Sequence, residues 1–526
     1  MVDPADEKPG RGGGNERRGR ADDPDAPQQR GGDARVGGEA GGEPRFGLRL
    51  HADGFGKTRR PLKASAPGTD RQAMDAAARS SRLTWLALAF ATAMTFPLVR
   101  VGADSRWLAA MGREIVRTGA IPARVPYAAA PSSHWVNVPV LGELLFHALE
   151  SALGDRGLVF AQLLAVVAAL ALLGLDMRKA RVPDAARAVV LFAVLPAALP
   201  AFTVARSQLF SLALFPLLVL LLRADARAPS WRIWLLVPLI ALWSNLHGGV
   251  LVGLFVAGVY LVVERLHTRP VLAAGALAAS VSAVFATPAL IRSATYYAGV
   301  LHGEAAKTGD GLWAPLSPHS FFDVMFTVVA LPLVVLALRS RLRTWELVCM
   351  AALALAAVHA SRNTIWFVLF VAAPAAQTLG RARFTRFVPR RRTAALCYCA
   401  PGLLLVAGAV QPPVATSAGE PLLRKTAALA AGRPILADDL DAEHLALDGE
   451  RVWIANPLDA FKRNAQRSYL DWLHGDPAGD RMRDRVGSPV LVLRGSPADE
   501  RLARDPAYRA VARDRVAVLY ARKRAS

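Results

Sequence analysis

Four residues of this chain, Asp104, Arg206, His247 and Arg362, carry chemistry that packing alone does not call for. A carboxylate can take a proton or hold a cation, and a guanidinium grips phosphate through paired hydrogen bonds. Around them stand Trp107, Trp135, Asn137, Glu143, Gln208, Asn245 and Trp313. Glu143 is a second carboxylate, the amides can bind hydroxyls, and the indoles can stack on rings or anchor at a membrane interface. His247 is a lone histidine, with no second His or Cys at ligand spacing for zinc. All of these residues fall in polar connections between long apolar runs, which decide where they sit.

The apolar runs fall near 83–101, 157–176, 186–203, 207–222, 231–246, 249–264, 270–290, 322–338, 345–360, 363–379 and 393–411. Each is roughly 17–22 residues, the length that crosses a bilayer as a helix. Basic clusters follow every second run: MRKAR (177–181), RADAR (223–227), ERLHTR (264–269), RSRLR (339–343) and GRARFTRFVPRRR (380–392). The alternate connections lack such clusters, and three are little more than ARSQ, NLHGG and SRN. The excess of Lys and Arg marks cytoplasmic loops. The pattern predicts a mainly α polytopic bundle of about eleven transmembrane helices, with the N-terminus cytoplasmic and the C-terminus exoplasmic. Polar groups at membrane depth are expensive and mark sites or aqueous cavities. Here they gather on the outer face.

Composition supports this class. The 526 residues are 53% hydrophobic, and the net charge of +21 is spread through loops rather than gathered as a nucleic-acid footprint. Cys349, Cys397 and Cys399 lie inside apolar runs and read as small hydrophobes. Residues 1–80 are rich in Gly, Arg, Asp and Pro, the composition of a disordered cytoplasmic tail. Residues 81–411 form the membrane domain, with an exoplasmic loop over 102–156. Residues 412–526 turn soluble, with β-rich runs at 433–438, 451–456, 489–495 and 515–523 separated by helical segments such as AFKRNAQRSYLDWLHG. They predict a small exoplasmic α/β domain. Its acidic cluster, Asp438, Asp439 and Asp441, could hold a cation, and a solvated loop is the better reading.

Within the first outer loop, RWLAAMGREIVRTG places Trp107, Leu108, Met111 and Ile115 at helical spacing. This predicts a helix lying on the membrane surface, ended by Gly119. Tyr127, HWVN (134–137) and an apolar helix carrying Glu143 follow.

The motifs D-x-x-W (Asp104, Trp107), R-T-G-x-I-P (Arg117 to Pro122), W-V-N with a following Glu (Trp135 to Asn137, Glu143), R-x-Q (Arg206, Gln208), W-x-N-L-H-G-G (Trp243 to Gly249) and Arg362 resemble a bacterial family of multi-spanning membrane proteins. That family is related to GT-C-type glycosyltransferases, which use polyprenyl-phosphate sugars. The resemblance covers about residues 83–526. It implies a plasma-membrane enzyme, partnered by membrane lipids and a polyprenyl-phosphate sugar donor, that passes the sugar to an envelope acceptor. It also implies that Asp104 is the base or the ligand of a divalent cation such as Mg or Mn. Arg106 and Leu108 replace residues common in the family, as do Val138 and Val140, and its N-P-x-G turn is reduced to Thr287-Pro288. A lipid-linked substrate transporter and a non-catalytic scaffold of envelope assembly are the rival classes. No internal repeat supports the transporter.

Overall fold

The computed structural model describes residues 81–132, 135–382, 414–487 and 489–523, all within one compact unit. The tail over 1–80 and the run at 393–411 lie outside the described residues.

Every other apolar run is helical. The helices Asp155–Lys179, Leu209–Arg227 and Phe321–Leu338 are long and apolar enough to cross a membrane. At 1.5 Å per residue they extend about 27–38 Å. Shorter apolar helices cover Arg82–Leu98, Trp231–Ser244, Pro270–Ala283 and Thr344–His359. The described residues thus hold three full-length spans among shorter apolar helices, rather than eleven full spans. Proline accounts for one shortening: Pro196 and Pro200 divide the run at 186–203 into Asp184–Ala197 and Leu199–Phe202. The outward faces are apolar, with Leu164 58%, Val328 64% and Leu355 72% exposed. Continuous apolar faces of this kind belong against lipid, so the protein is membrane-embedded.

The connections rich in Lys and Arg meet at one end of the bundle. Buried Arg223 pairs with Asp176 at 2.8 Å and Glu346 at 2.9 Å, and donates to the Phe370 carbonyl at 2.9 Å. Arg265 pairs with Asp225 at 3.0 Å, and Arg343 with Glu264. Removing one partner of such a buried pair strands the other charge at a cost of about 3–5 kcal/mol.

At the other end, a two-stranded parallel ladder joins Arg100–Val101 to Val204–Ala205. The helix Ser105–Thr118 leaves this ladder and ends on Gly119, whose φ of +67° is open to glycine. Its apolar stripe faces protein rather than lipid. Trp107 and Met111 are buried in the core of the C-terminal domain, while Leu108 joins the core of the bundle. The helix packs on Val140–Leu153 on one side and Asp439–Leu447 on the other. Its apolar stripe has a protein partner that the local pattern does not reveal.

The C-terminal domain carries a mixed sheet. Leu436–Ala437 runs parallel to Val490–Leu493, which is antiparallel to Ala517–Arg522, and that strand pairs in turn with Tyr508–Arg513. The run at 451–456 is not a strand of this sheet. Val452 instead forms single bridges to Ile435 and to Ala128 of the first loop. Ala129 N–H donates to the Val452 carbonyl at 2.8 Å and Ala130 N–H to that of Trp453 at 3.0 Å. The loop and the domain are sewn together by backbone.

Candidate active site

The parallel ladder sets the first two functional groups side by side. Gly102 N–H donates to the Ala205 carbonyl at 2.9 Å, and Ser105 Oγ donates to the same oxygen at 2.6 Å. A Cβ on Gly102 would lie 2.2 Å from Val204 Cγ1, so the approach requires glycine. Asp104 and Arg206 follow directly from these two strands.

Asp104 is left-handed, with φ +77°. That conformation costs about 1–2 kcal/mol for an L-residue, less for Asp than for most. Its N–H donates to Glu443 Oε1 at 2.7 Å, and Asn456 Nδ2 donates to the same oxygen at 2.8 Å. Its carbonyl accepts from Leu108 N–H at 2.8 Å. Glu443 is 1% exposed, so the C-terminal domain holds the loop from a fixed point.

The Asp104 side chain accepts from Ser207 Oγ at 3.5 Å and faces the charges of Arg206 and Arg362. All three are largely enclosed by protein yet keep partial solvent exposure. Burial raises the Asp104 carboxyl above the usual carboxylate range, and the two guanidiniums and Ser207 pull it back. Burial lowers Arg206 to about 10, which leaves it a cation at neutral pH. Neutral groups orient both guanidiniums. Arg206 Nη2 donates to Gln208 Oε1 at 2.7 Å, and Arg362 Cζ sits 4.2 Å above the Trp313 ring. Among the described residues neither guanidinium makes a direct ion pair, so both charges stay available to an anion.

His247 borders this group. Its Nδ1 accepts from Gly249 N–H at 3.2 Å and from Ser211 Oγ at 2.7 Å, while Trp243 Nε1 donates to that Oγ at 2.6 Å. With Nδ1 accepting, the proton sits on Nε2. Burial, then the charges of Arg362 and Arg206, hold the imidazole down to about 3, so it is a neutral donor at physiological pH. Asn245 braces the helix reversal, its amide donating to the carbonyls of Ala241 at 2.8 Å and Ala286 at 2.7 Å.

Four other residues from the sequence lie apart. Asn137 Nδ2 donates to Glu143 Oε2 at 2.7 Å, both buried, and burial pushes Glu143 up to about 8. This pair sits where Gly112 lets the two loop helices meet; a Cβ there would fall 2.2 Å from the Glu143 carbonyl oxygen. Trp107 and Trp135 are core of the C-terminal domain, with the Trp107 ring edge-on to Tyr127.

The structure adds groups that sequence reasoning missed. Glu443 and Asn456 hold Asp104, and Asp459 and Tyr296 lie within its electrostatic reach. Burial pushes Asp459 to about 6. The acidic cluster at 438–441 is not a solvated loop. Asp438 caps the helix Asp439–Leu447 by accepting from Asp441 N–H at 3.2 Å. Asp439 accepts from the Tyr469 hydroxyl at 3.2 Å, and Asp441 from Ala418 N–H at 2.6 Å. An Asp three residues before another acid, ahead of an apolar stretch, is a helix-start signal. The described side chains that converge for a cation are Glu420, His444 and Asp448, and Asp104 is not among them.

No protein-family model matches the chain, and no curated protein matches it. Solved structures similar to it include ArnT from Cupriavidus metallidurans bound to undecaprenyl phosphate, at 14% identity and a TM-score of 0.48 over 83% of this chain and 97% of that one. The same protein in the apo state matches at 14% identity and TM-score 0.49, over 84% and 98%. The mycobacterial arabinofuranosyltransferase AftD matches at 15% identity and TM-score 0.44, over 84% of this chain and 41% of that one. Likeness at this level transfers no residue roles.

Proposed function

We propose that the protein is an integral-membrane glycosyltransferase that moves a sugar from a polyprenyl-phosphate donor to an envelope acceptor at the outer face of the plasma membrane. The observation that carries this reading is the pair of guanidiniums, Arg206 and Arg362, which make no direct ion pair among the described residues, are oriented by Gln208 and Trp313, and act with their charges on Asp104. Two cations at the mouth of a membrane bundle suit an anion that arrives on a lipid. Asp104 takes the proton of the acceptor hydroxyl as that oxygen bonds to the sugar carbon and the phosphate leaves with the bonding pair. The guanidiniums hold the charge that grows on the departing phosphate. His247 contributes an N–H, not a base.

A divalent cation on Asp104 would face both guanidiniums, which disfavour it there, so the base is the role that the charges support. Glu143, tied to Asn137, serves the fold of the loop.

The test is transfer of a radiolabelled sugar from a polyprenyl-phosphate donor by the membrane-purified protein. Asp104→Asn should lower the rate about 10²- to 10⁴-fold, the usual contribution of a general base. Full transferase activity in that variant would refute the assignment. Normal envelope assembly in cells after joint replacement of Asp104, Arg206 and Arg362 would favour a scaffold instead.

A further inference from the structure

Glu420, His444 and Asp448 lie away from the reacting groups and belong to no part of the mechanism above. We propose that they form a divalent-cation site that ties the helix Glu420–Ala430 to the helix Asp439–Leu447. One ligand atom from each side chain lies within 4.8 Å of the other two. His444 and Asp448 are four residues apart, a spacing that puts both on one side of a helix end, and Asp448 N–H donates to the His444 carbonyl at 3.0 Å. Glu420 opens the other helix.

The imidazole is already aimed. Ser417 Oγ meets Nδ1 at 2.9 Å, which leaves Nε2 turned to Glu420 Oε1 at 3.7 Å. That gap is too long for a hydrogen bond. It is close to the spacing of two atoms sharing one ion, since metal–ligand bonds of 2.0–2.2 Å at a tetrahedral angle place them about 3.4 Å apart. A hydroxyl on the far ring nitrogen is the outer contact that fixes metal-binding histidines.

The three residues open onto a cavity of about 890 Å³ that also holds Arg106, Arg113 and Glu150. The Arg106 charge reaches His444 and Asp448 and the Arg113 charge reaches Asp448, so the two carboxylates of the cluster must outweigh both guanidiniums to hold a cation. Arg106 pairs with Asp155 at 2.7 Å, and Arg113 donates to the carbonyls of Ala446 and Leu447. One imidazole and two carboxylates suit Zn²⁺ or Mn²⁺ better than Ca²⁺. The Asp439–Leu447 helix also carries Glu443, the anchor of Asp104, so an ion here fixes the helix Glu420–Ala430 against the element that bears that anchor. Binding of the ion does not depend on the transferase reading.

The test uses the full chain, purified in detergent without a polyhistidine tag, stripped with a chelator and titrated with ZnCl₂ and with MnCl₂ by calorimetry. One equivalent should bind and raise the melting temperature. His444→Gln and Asp448→Asn should each weaken that binding at least tenfold, and Ser417→Ala by about tenfold as the ring loses its orientation. Glu420→Gln, on a side chain 60% exposed, changes no packing and serves if the helix variants misfold. Metal-free melting equal to that of the stripped wild type shows that a variant is folded. Absence of binding in the wild type, or unchanged affinity in a folded His444→Gln/Asp448→Asn double variant, overturns the proposal.

Discussion

Replacing Glu443 separates two ways in which the C-terminal domain could serve Asp104. Glu443 Oε1 accepts from the Asp104 N–H at 2.7 Å and from Asn456 Nδ2 at 2.8 Å, in a position 1% exposed. Burial, then the nearby Asp104 charge, raises its carboxyl well above the usual range. A carboxyl so raised tolerates an amide in its place, because Gln keeps the accepting oxygen and carries no charge. Glu443→Gln should therefore hold the loop. Glu443→Ala strands the Asp104 N–H without a partner, at a cost of about 1–3 kcal/mol. The left-handed Asp104 is already unfavourable by about 1–2 kcal/mol, so the loop has a better conformation to escape to. A loss of 1–3 kcal/mol lowers the population of the held loop about 5- to 150-fold. Hydrogen exchange at the 100–106 amides in detergent reads this directly, without any assumption about substrate. Asp104 N–H protection should fall by that factor in the Ala variant and stay near wild type in the Gln variant, and the transfer rate should follow. Equal protection in wild type and Ala would refute the clamp. If Gln fell with Ala, the charge rather than the acceptor would be what matters.

Three further outcomes follow from the same geometry. Arg206→Lys and Arg362→Lys keep the charge but lose the planar fork, so KM for the lipid-linked donor should rise about tenfold with kcat less affected, read from initial rates against donor concentration. Gly102→Ala forces a Cβ to within 2.2 Å of Val204 Cγ1 and should destabilise the ladder by about 1–3 kcal/mol; adding Val204→Ala removes that methyl and should restore most of the melting temperature and the rate. Asp439 and Asp459 are raised to about 6 from an unfolded value near 3.9, so the folded state holds their protons more tightly. Their stabilisation is full below about pH 4 and is lost as pH rises through about 6, so the melting temperature of the detergent-solubilised protein should decline over that window, less steeply in Asp459→Asn.

What the sequence discloses here depends on whether a signal is local. Apolar length and the alternation of basic loops need only the chain itself, and they place Asp104, Arg206, His247 and Arg362 at one end of the bundle, where their charges act on one another. Gly119 as a helix stop and the helix within AFKRNAQRSYLDWLHG were legible for the same reason. The failures share the opposite property. Trp107 and Met111 make an amphipathic stripe whether they face lipid or protein, and only the fold of the C-terminal domain decides between the two. Trp135 and the Asn137–Glu143 pair are buried, and residue type alone does not separate a buried polar group that packs from one that binds. Glu443 was invisible because a single carboxylate, 339 residues from its partner, leaves no periodicity and no motif. The loop that bears Asp104 is short of local reasons to hold a left-handed turn, and the chain supplies the reason from its far end. On the transferase reading proposed above, the C-terminal domain is tied to the Asp104 site through this one contact: detaching the domain removes the acceptor that holds the Asp104 N–H.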